Sequence, residues 1–241
     1  RMISPDIPPS AGYDALARLL HDGWLTTVLT TNFDNRLDEA RIRQGRPHSL
    51  TIVRTPDDYI RFNTSPKFPQ LVHLHGSVEH YSDKNLIQEV ASLDAKLVKL
   101  LAPALRDHPL VIIGYRGAEP SIMRDLFLGQ VKGANSFLHG VYWCVRSESG
   151  ADSLHPLVKE FAAKIGHNFQ LVEMGGFDEL MNDHLLRPLV ERGVTPPKQK
   201  SSLPAVQASF DMGPCENTSV KQLDLALLGQ RLKQYSSQLG L

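Results

Sequence analysis

Short apolar runs alternate with longer segments of mixed polarity along most of the chain. The apolar runs are rich in Val, Ile, Leu and aromatic residues, as is typical of buried strands, and cover 24–31, 70–74, 110–113, 141–145 and 169–173. Helices are predicted between them, over 35–43, 85–105, 154–165 and 177–190, with another after Pro120. This alternation predicts an α/β fold with a doubly wound, largely parallel sheet and helices on both faces.

The pattern changes near residue 193. We interpret residues 1–192 as one domain, 193–218 as a linker and 219–241 as a C-terminal helix. The linker is rich in Pro, Ser and Lys, whereas the last segment carries leucines at helical spacing and is interpreted as a docking helix.

Composition excludes several classes of partner. Lys+Arg and Asp+Glu both number 26 in the 241 residues, so the chain has no overall charge that would attract nucleic acid or an anionic membrane. No apolar run approaches the roughly 20 residues of a membrane span. The two cysteines, Cys144 and Cys215, are far apart and favour a reducing compartment, so we expect a cytoplasmic protein.

A first polar motif, Thr30-Thr31-Asn32-Phe33-Asp34, follows the first apolar run. In extended geometry Asn32 and Asp34 face the same side, and together they suit a ligand with hydroxyls and an amide, such as a ribose and a carboxamide. Alternatively, Asp34 or Asn35 caps the following helix. Capping and ligand binding are compatible.

A second motif, His73-Leu74-His75-Gly76-Ser77, ends the next apolar run. Two histidines at this spacing share one face of a strand, but His80 and Glu79 nearby do not complete a recognised metal spacing, so no metal is predicted. We expect His73 to be a core residue and His75 to be a general base, since an imidazole titrates near neutral pH.

A third run ends in Gly114-Tyr115-Arg116, and Glu119-Pro120-Ser121 then opens a helix. The glycine would let a ligand approach the backbone, while Arg116 could add positive charge beside a phosphate. A tight strand-to-helix turn is the alternative interpretation. The same two readings apply to residues 175–178, which either border an adenine pocket or form a turn.

Taken in order, the three motifs resemble the sirtuin-like fold, specifically the bacterial sirtuin-like domains that consume NAD in anti-phage defence proteins. The resemblance covers roughly residues 10 to 190. It implies a Rossmann-like sheet that binds NAD as the substrate. It also implies a catalytic pair, with Asn32 placing the attacking water and His75 acting as the base. The residues implied to contact NAD are Thr31, Asp34, Gly114, Tyr115 and Arg116.

Two differences from that family qualify the expectation. The chain has no Cys-x-x-Cys pairs of the zinc module that protein-deacylating sirtuins carry, which argues against a histone-type deacylase. No glycine-rich phosphate-binding turn precedes the first apolar run, and we expect that the stretch carrying it was cut from the chain or was not included in it.

The resemblance implies an NAD+ glycohydrolase that releases nicotinamide and ADP-ribose, or a cyclised variant of it, and depletes NAD in infected bacteria. It also implies restraint by homo-oligomerisation or by a defence-system partner subunit. A degenerate module that binds a nucleotide or serves assembly is the alternative, and a zinc-free deacylase ranks last.

Overall fold

The computed structural model describes residues 8–45, 50–75, 93–133, 136–146 and 154–195. In these ranges six strands lie in two sheets of three, and each strand pair among them is parallel. The first sheet has the order β1-β3-β2 and the second β4-β5-β6. The strands are β1 Thr27–Thr30, β2 Thr51–Val53, β3 Gln70–His73, β4 Leu110–Ile112, β5 Val141–Arg146 and β6 Phe169–Met174.

Helices connect the strands, as parallel pairing requires. The connecting α-helices are α2 Arg36–Arg43, α3 Ala95–Asp107 and α4 Pro156–Ile165, whereas α1 Ala11–His21 precedes β1. A last helix, α5, runs through Phe177–Glu179, Leu180–Leu186 and Arg187–Glu191. Shorter helical segments occupy Pro56–Arg61, Ser121–Phe127, Leu128–Gln130 and Gly166–Asn168.

Alternate residues of every strand except β2 contribute to two different cores, because successive side chains on a strand point to opposite faces. The first core takes Leu29, Val72, Ile112 and Trp143, and α3, α4 and Ser121–Phe127 cover it. The second takes Val28, Leu71, Val111 and Tyr142, and α1, α2 and α5 cover it. Both sheets therefore lie in one layer between two sets of helices, and the predicted doubly wound α/β architecture is confirmed.

Several predicted boundaries need correction. The first strand begins at Thr27 rather than at Trp24, because the N–H groups of Trp24 and Leu25 donate to Leu19 O and complete the end of α1. The helix predicted over 85–105 is not helical at residues 93–94. Helix α3 begins at Ala95, because the Asp94 side chain accepts from Lys96 N and caps the helix there. Residues 85–92 lie outside the described residues.

The sequence pattern missed α1, β2 and the turn of helix Pro56–Arg61. Residues 196–241, which include most of the predicted linker and the predicted C-terminal helix, lie outside the described part of the chain. In the described part, no helix is long and apolar enough to cross a membrane.

Candidate functional site

The first motif forms a tight loop between β1 and α2. Its Asn32 N–H donates to Thr30 Oγ1 at 3.0 Å, a local bond that turns the chain out of the strand. The loop leaves the Asn32 side chain exposed and Thr31 half-buried at the carboxyl end of β1. Ligands of open α/β sheets bind at this edge.

The Asp34 carboxylate binds the first N–H of the next helix from one residue before the N-cap residue, Asn35. Asp34 Oδ1 accepts from Arg36 N at 3.2 Å, near the start of α2. Asn35 has a different partner, since its Oδ1 accepts from an Arg54 guanidinium N–H at 2.8 Å. The carboxylate of Asp34 therefore shapes the loop that presents Asn32, and this does not exclude contact with a ligand.

His73 joins the first and second motifs. The imidazole is buried, and its Nδ1 lies 3.1 Å from the carbonyl oxygen of Asn32. Because a carbonyl can only accept, Nδ1 donates the proton of this bond. His73 is a core residue, as expected, and it also anchors the Asn32 backbone to β3.

His75 lies two residues after the end of β3 and contacts the loop that follows β4. Its side chain is 4% exposed, and its Nε2 lies 3.4 Å from Glu119 Oε2. Tyr115 belongs to the same loop, where its hydroxyl donates to Glu119 O at 3.5 Å. Burial, followed by the negative charge of Glu119, raises the pKa of Tyr115 well above its usual value.

Gly114 and Gly117 give the loop after β4 its shape. Both adopt a left-handed conformation, with φ of 69° and 73°, which glycine tolerates without steric cost. A Cβ at Gly114 would meet no atom within 4 Å, so a ligand can approach the backbone there. A Cβ at Gly117 would overlap Val158 Cγ2, so this turn packs directly against α4. Arg116, between them, is exposed.

Tyr13 and Asp178 also reach this edge of the sheet. The sequence pattern did not indicate Tyr13, and Asp178 belongs to residues 175–178, for which an adenine pocket and a turn were the alternatives. Asn32 Nδ2 lies 3.5 Å from the Tyr13 hydroxyl. Asp178 Oδ1 accepts from Ser10 Oγ at 2.6 Å and from Gly12 N at 3.0 Å, so it caps α1 from the far end of the chain. Residues 175–178 therefore form a turn into α5, and the capping carboxylate uses donors at the start of α1. Tyr13 could have been noticed from the sequence only as an aromatic residue on the apolar face of α1, which packs against the second core.

The structure brings the three sequence motifs to one edge. The His73 imidazole binds the carbonyl oxygen of Asn32, and the His75 imidazole contacts the Glu119 carboxylate. Glu119 lies on the same loop as Gly114, whose backbone a ligand can approach. Among the residues that the structure describes, no group of three or more His, Cys, Asp or Glu side chains is arranged to hold a metal ion.

A parallel sheet of this kind, with polar loops gathered at its carboxyl edge, belongs to the class of open α/β proteins that bind ligands at that edge. The family model of the SIR2-like domain matches residues 26–165, which is more than half of the chain. The chain belongs to the SIR2-like family. No curated protein matches it.

Proposed function

We propose that the protein is an NAD+ glycohydrolase that cleaves the bond between nicotinamide and ribose. The observation that carries the proposal is the convergence of the Asn32, His75 and Gly114 loops at one sheet edge of a SIR2-like domain. An amide, an imidazole and an open stretch of backbone are the groups that a ribose and its leaving base require.

The described residues fit the nicotinamide and ribose end of NAD. The exposed amide of Asn32 can both donate and accept, and Gly114 leaves room for a ribose against the backbone. Thr31 and Asp34 border the same loop, while Tyr115 and the exposed Arg116 lie beside the space in front of Gly114. Arg116 is the cation that would bind the phosphates.

Hydrolysis breaks the bond from ribose C1′ to the nicotinamide nitrogen, which takes the electron pair with it. The oxygen of a water molecule forms the new bond to C1′, and the water loses a proton. Asn32 orients the ribose and that water, and His75 accepts the proton and later passes it to solvent. A positioned general base contributes on the order of 10² to 10⁴ in rate.

The test measures nicotinamide release from NAD by the wild-type chain and by His75→Ala and Asn32→Ala. We expect release by the wild type and a loss of at least about 10²-fold in His75→Ala. His167→Ala is the matched control, because this histidine is exposed and lies beside α4, outside the site. Undiminished nicotinamide release in both His75→Ala and Asn32→Ala would refute the glycohydrolase assignment.

A module that binds a nucleotide or serves assembly without catalysis is the second candidate. The observation that favours it is the Asp178 carboxylate, which uses Ser10 Oγ and Gly12 N and so leaves these donors unavailable to a phosphate. Calorimetric titration with NAD and ADP-ribose separates the two functions. Heat of binding without nicotinamide release would identify a binding module, and no heat would identify an assembly module.

We further propose that the protein acts in the bacterial cytoplasm as an NAD-depleting effector of anti-phage defence, as a homo-oligomer or with a defence-system partner subunit. This setting rests on the sequence resemblance set out above. Cellular NAD should fall after infection in bacteria that carry the wild-type protein and should stay constant with His75→Ala. Light scattering of the purified protein measures the oligomeric state.

A further inference from the structure

The contact between His75 and Glu119 crosses from the first sheet to the second. The residues are 44 positions apart, and the imidazole is nearly buried while the carboxylate is 41% exposed. In such a pair the Glu119 carboxylate can orient the buried His75 imidazole while one side of the carboxylate stays in contact with solvent.

The chemistry of the two groups decides which imidazole nitrogen carries the proton. An ionised carboxylate can only accept, so the nitrogen that faces it, Nε2, is the donor. In neutral histidine the other nitrogen, Nδ1, is then unprotonated and basic. The Nε2 to Oε2 distance of 3.4 Å is long, and such bonds often tighten only when the substrate is bound.

We infer that Glu119 is a positioning residue that holds His75 in the tautomer protonated at Nε2, so that Nδ1 accepts the proton of the attacking water. This inference rests on the proposed glycohydrolase function. Glu119 itself does not exchange a proton with substrate, and its effect on the reaction passes through the orientation of His75.

The loop holds Glu119 at a defined place, as a positioning role requires. Its carbonyl oxygen accepts from Met123 N at 3.1 Å and from the Tyr115 hydroxyl at 3.5 Å. Two residues earlier, Gly117 sets the chain against Val158 in a conformation that other residues rarely adopt. The backbone on both sides of the carboxylate is therefore anchored.

The kinetic test compares Glu119→Gln and Glu119→Ala with the wild type in nicotinamide release. Glutamine keeps an oxygen that can accept from Nε2 but loses the charge, whereas alanine loses both. We expect kcat to fall about 10-fold in Glu119→Gln and about 10²-fold in Glu119→Ala, with KM changed by less than about twofold, because orientation supplies part of what the general base contributes.

Two further variants separate positioning from a general loss of structure. In the His75→Ala background, Glu119→Ala should have no further effect, since its role passes through the imidazole. Glu179→Gln is the matched control, because Glu179 forms a similar pair with His184 at 3.0 Å on α5. It should keep wild-type activity.

A spectroscopic test does not depend on turnover. Long-range ¹H–¹⁵N spectra of histidine-labelled protein report which imidazole nitrogen is protonated. We expect the Nε2-protonated form for His75 in the wild type and a mixture of tautomers in Glu119→Ala, with the His184 signals unchanged.

The outcomes distinguish failure of the inference from failure of the proposed function. Wild-type kinetics in both Glu119 variants, with an inactive His75→Ala, would overturn the inference and leave the glycohydrolase assignment standing. An inactive wild type whose His75 tautomer still depends on Glu119 would overturn the assignment and support the pairing. An unchanged tautomer in Glu119→Ala would refute the positioning role in either case.

Discussion

Gly117→Ala should destabilise the protein far more than an ordinary exchange of glycine for alanine. The left-handed backbone at Gly117 costs about 1 to 2 kcal/mol for a residue with a Cβ. The new Cβ would also overlap Val158 Cγ2 and lie 3.4 Å from Trp143 Cζ2. Overpacking of this kind costs about 1 to 3 kcal/mol, and Val158 cannot easily rotate away because valine is stiff at χ1. The sum is about 2 to 5 kcal/mol.

Gly45→Ala is the control, since Gly45 has a φ of 62° but no atom within 4 Å of a Cβ. It should show the backbone cost alone, about 1 to 2 kcal/mol. Urea denaturation of both variants gives the free energies of unfolding. A Gly117→Ala effect within about 0.5 kcal/mol of the Gly45→Ala effect would refute the steric argument.

The double variant Gly117→Ala, Val158→Ala isolates the clash. Removing the Val158 methyl groups should relieve the overpacking but not the backbone strain, so the two substitutions should couple favourably by about 1 to 3 kcal/mol. Additive effects would contradict the geometry. Because Glu119 lies two residues further along, Gly117→Ala should also lower nicotinamide release at temperatures where the protein remains folded.

Two other predictions concern single groups. Burial raises the pKa of the Cys144 thiol to about 12. Because the thiolate is the reactive form, Cys144 in the Cys215→Ser variant should react with Ellman's reagent only after guanidinium is added. Fast reaction of the native variant would contradict this. Burial alone would raise the pKa of Asp58, but hydrogen bonds from Arg54 N, Thr55 N and Thr55 Oγ1 outweigh it and lower the pKa below its usual value. The ionised Asp58 therefore stabilises the fold above its unfolded pKa of about 3.9, and the contribution is lost as pH falls through the lower folded pKa. Asp58→Ala should reduce the free energy of unfolding by about 1 kcal/mol at pH 7, and urea titrations should show the difference from wild type narrowing below about pH 3.9; a constant difference would refute the linkage.

The strand and helix alternation was readable from the sequence because apolar runs mark the buried strands. The same signal fails for short elements. Strand β2, Thr51–Val53, has too few residues to show a period, and it is stabilised by its parallel partner β3. The apolar run also assigned Trp24 and Leu25 to β1. Their N–H groups instead donate to Leu19 O at the end of α1, where the last helix carbonyls need partners.

The motifs at the strand ends were readable, but their mutual contacts were not. Asn32, His75 and Gly114 each follow an apolar run, and the fold places all of them at the carboxyl edge. The partner of His75 is Glu119, 44 residues away, and that contact depends on how two sheets lie beside each other. Likewise, Asp178 reaches the start of α1 from 166 residues further along. Local pattern carries no information about such distant pairs.

The two cores on opposite faces of the strand layer each contain one of the chain's two tryptophans. Trp143 lies in the first core and Trp24 in the second, and both are buried. Each indole is therefore an optical reporter of one face of the sheet. Fluorescence of single-tryptophan variants would show whether both faces melt in one cooperative transition or whether one set of helices separates from the sheet first.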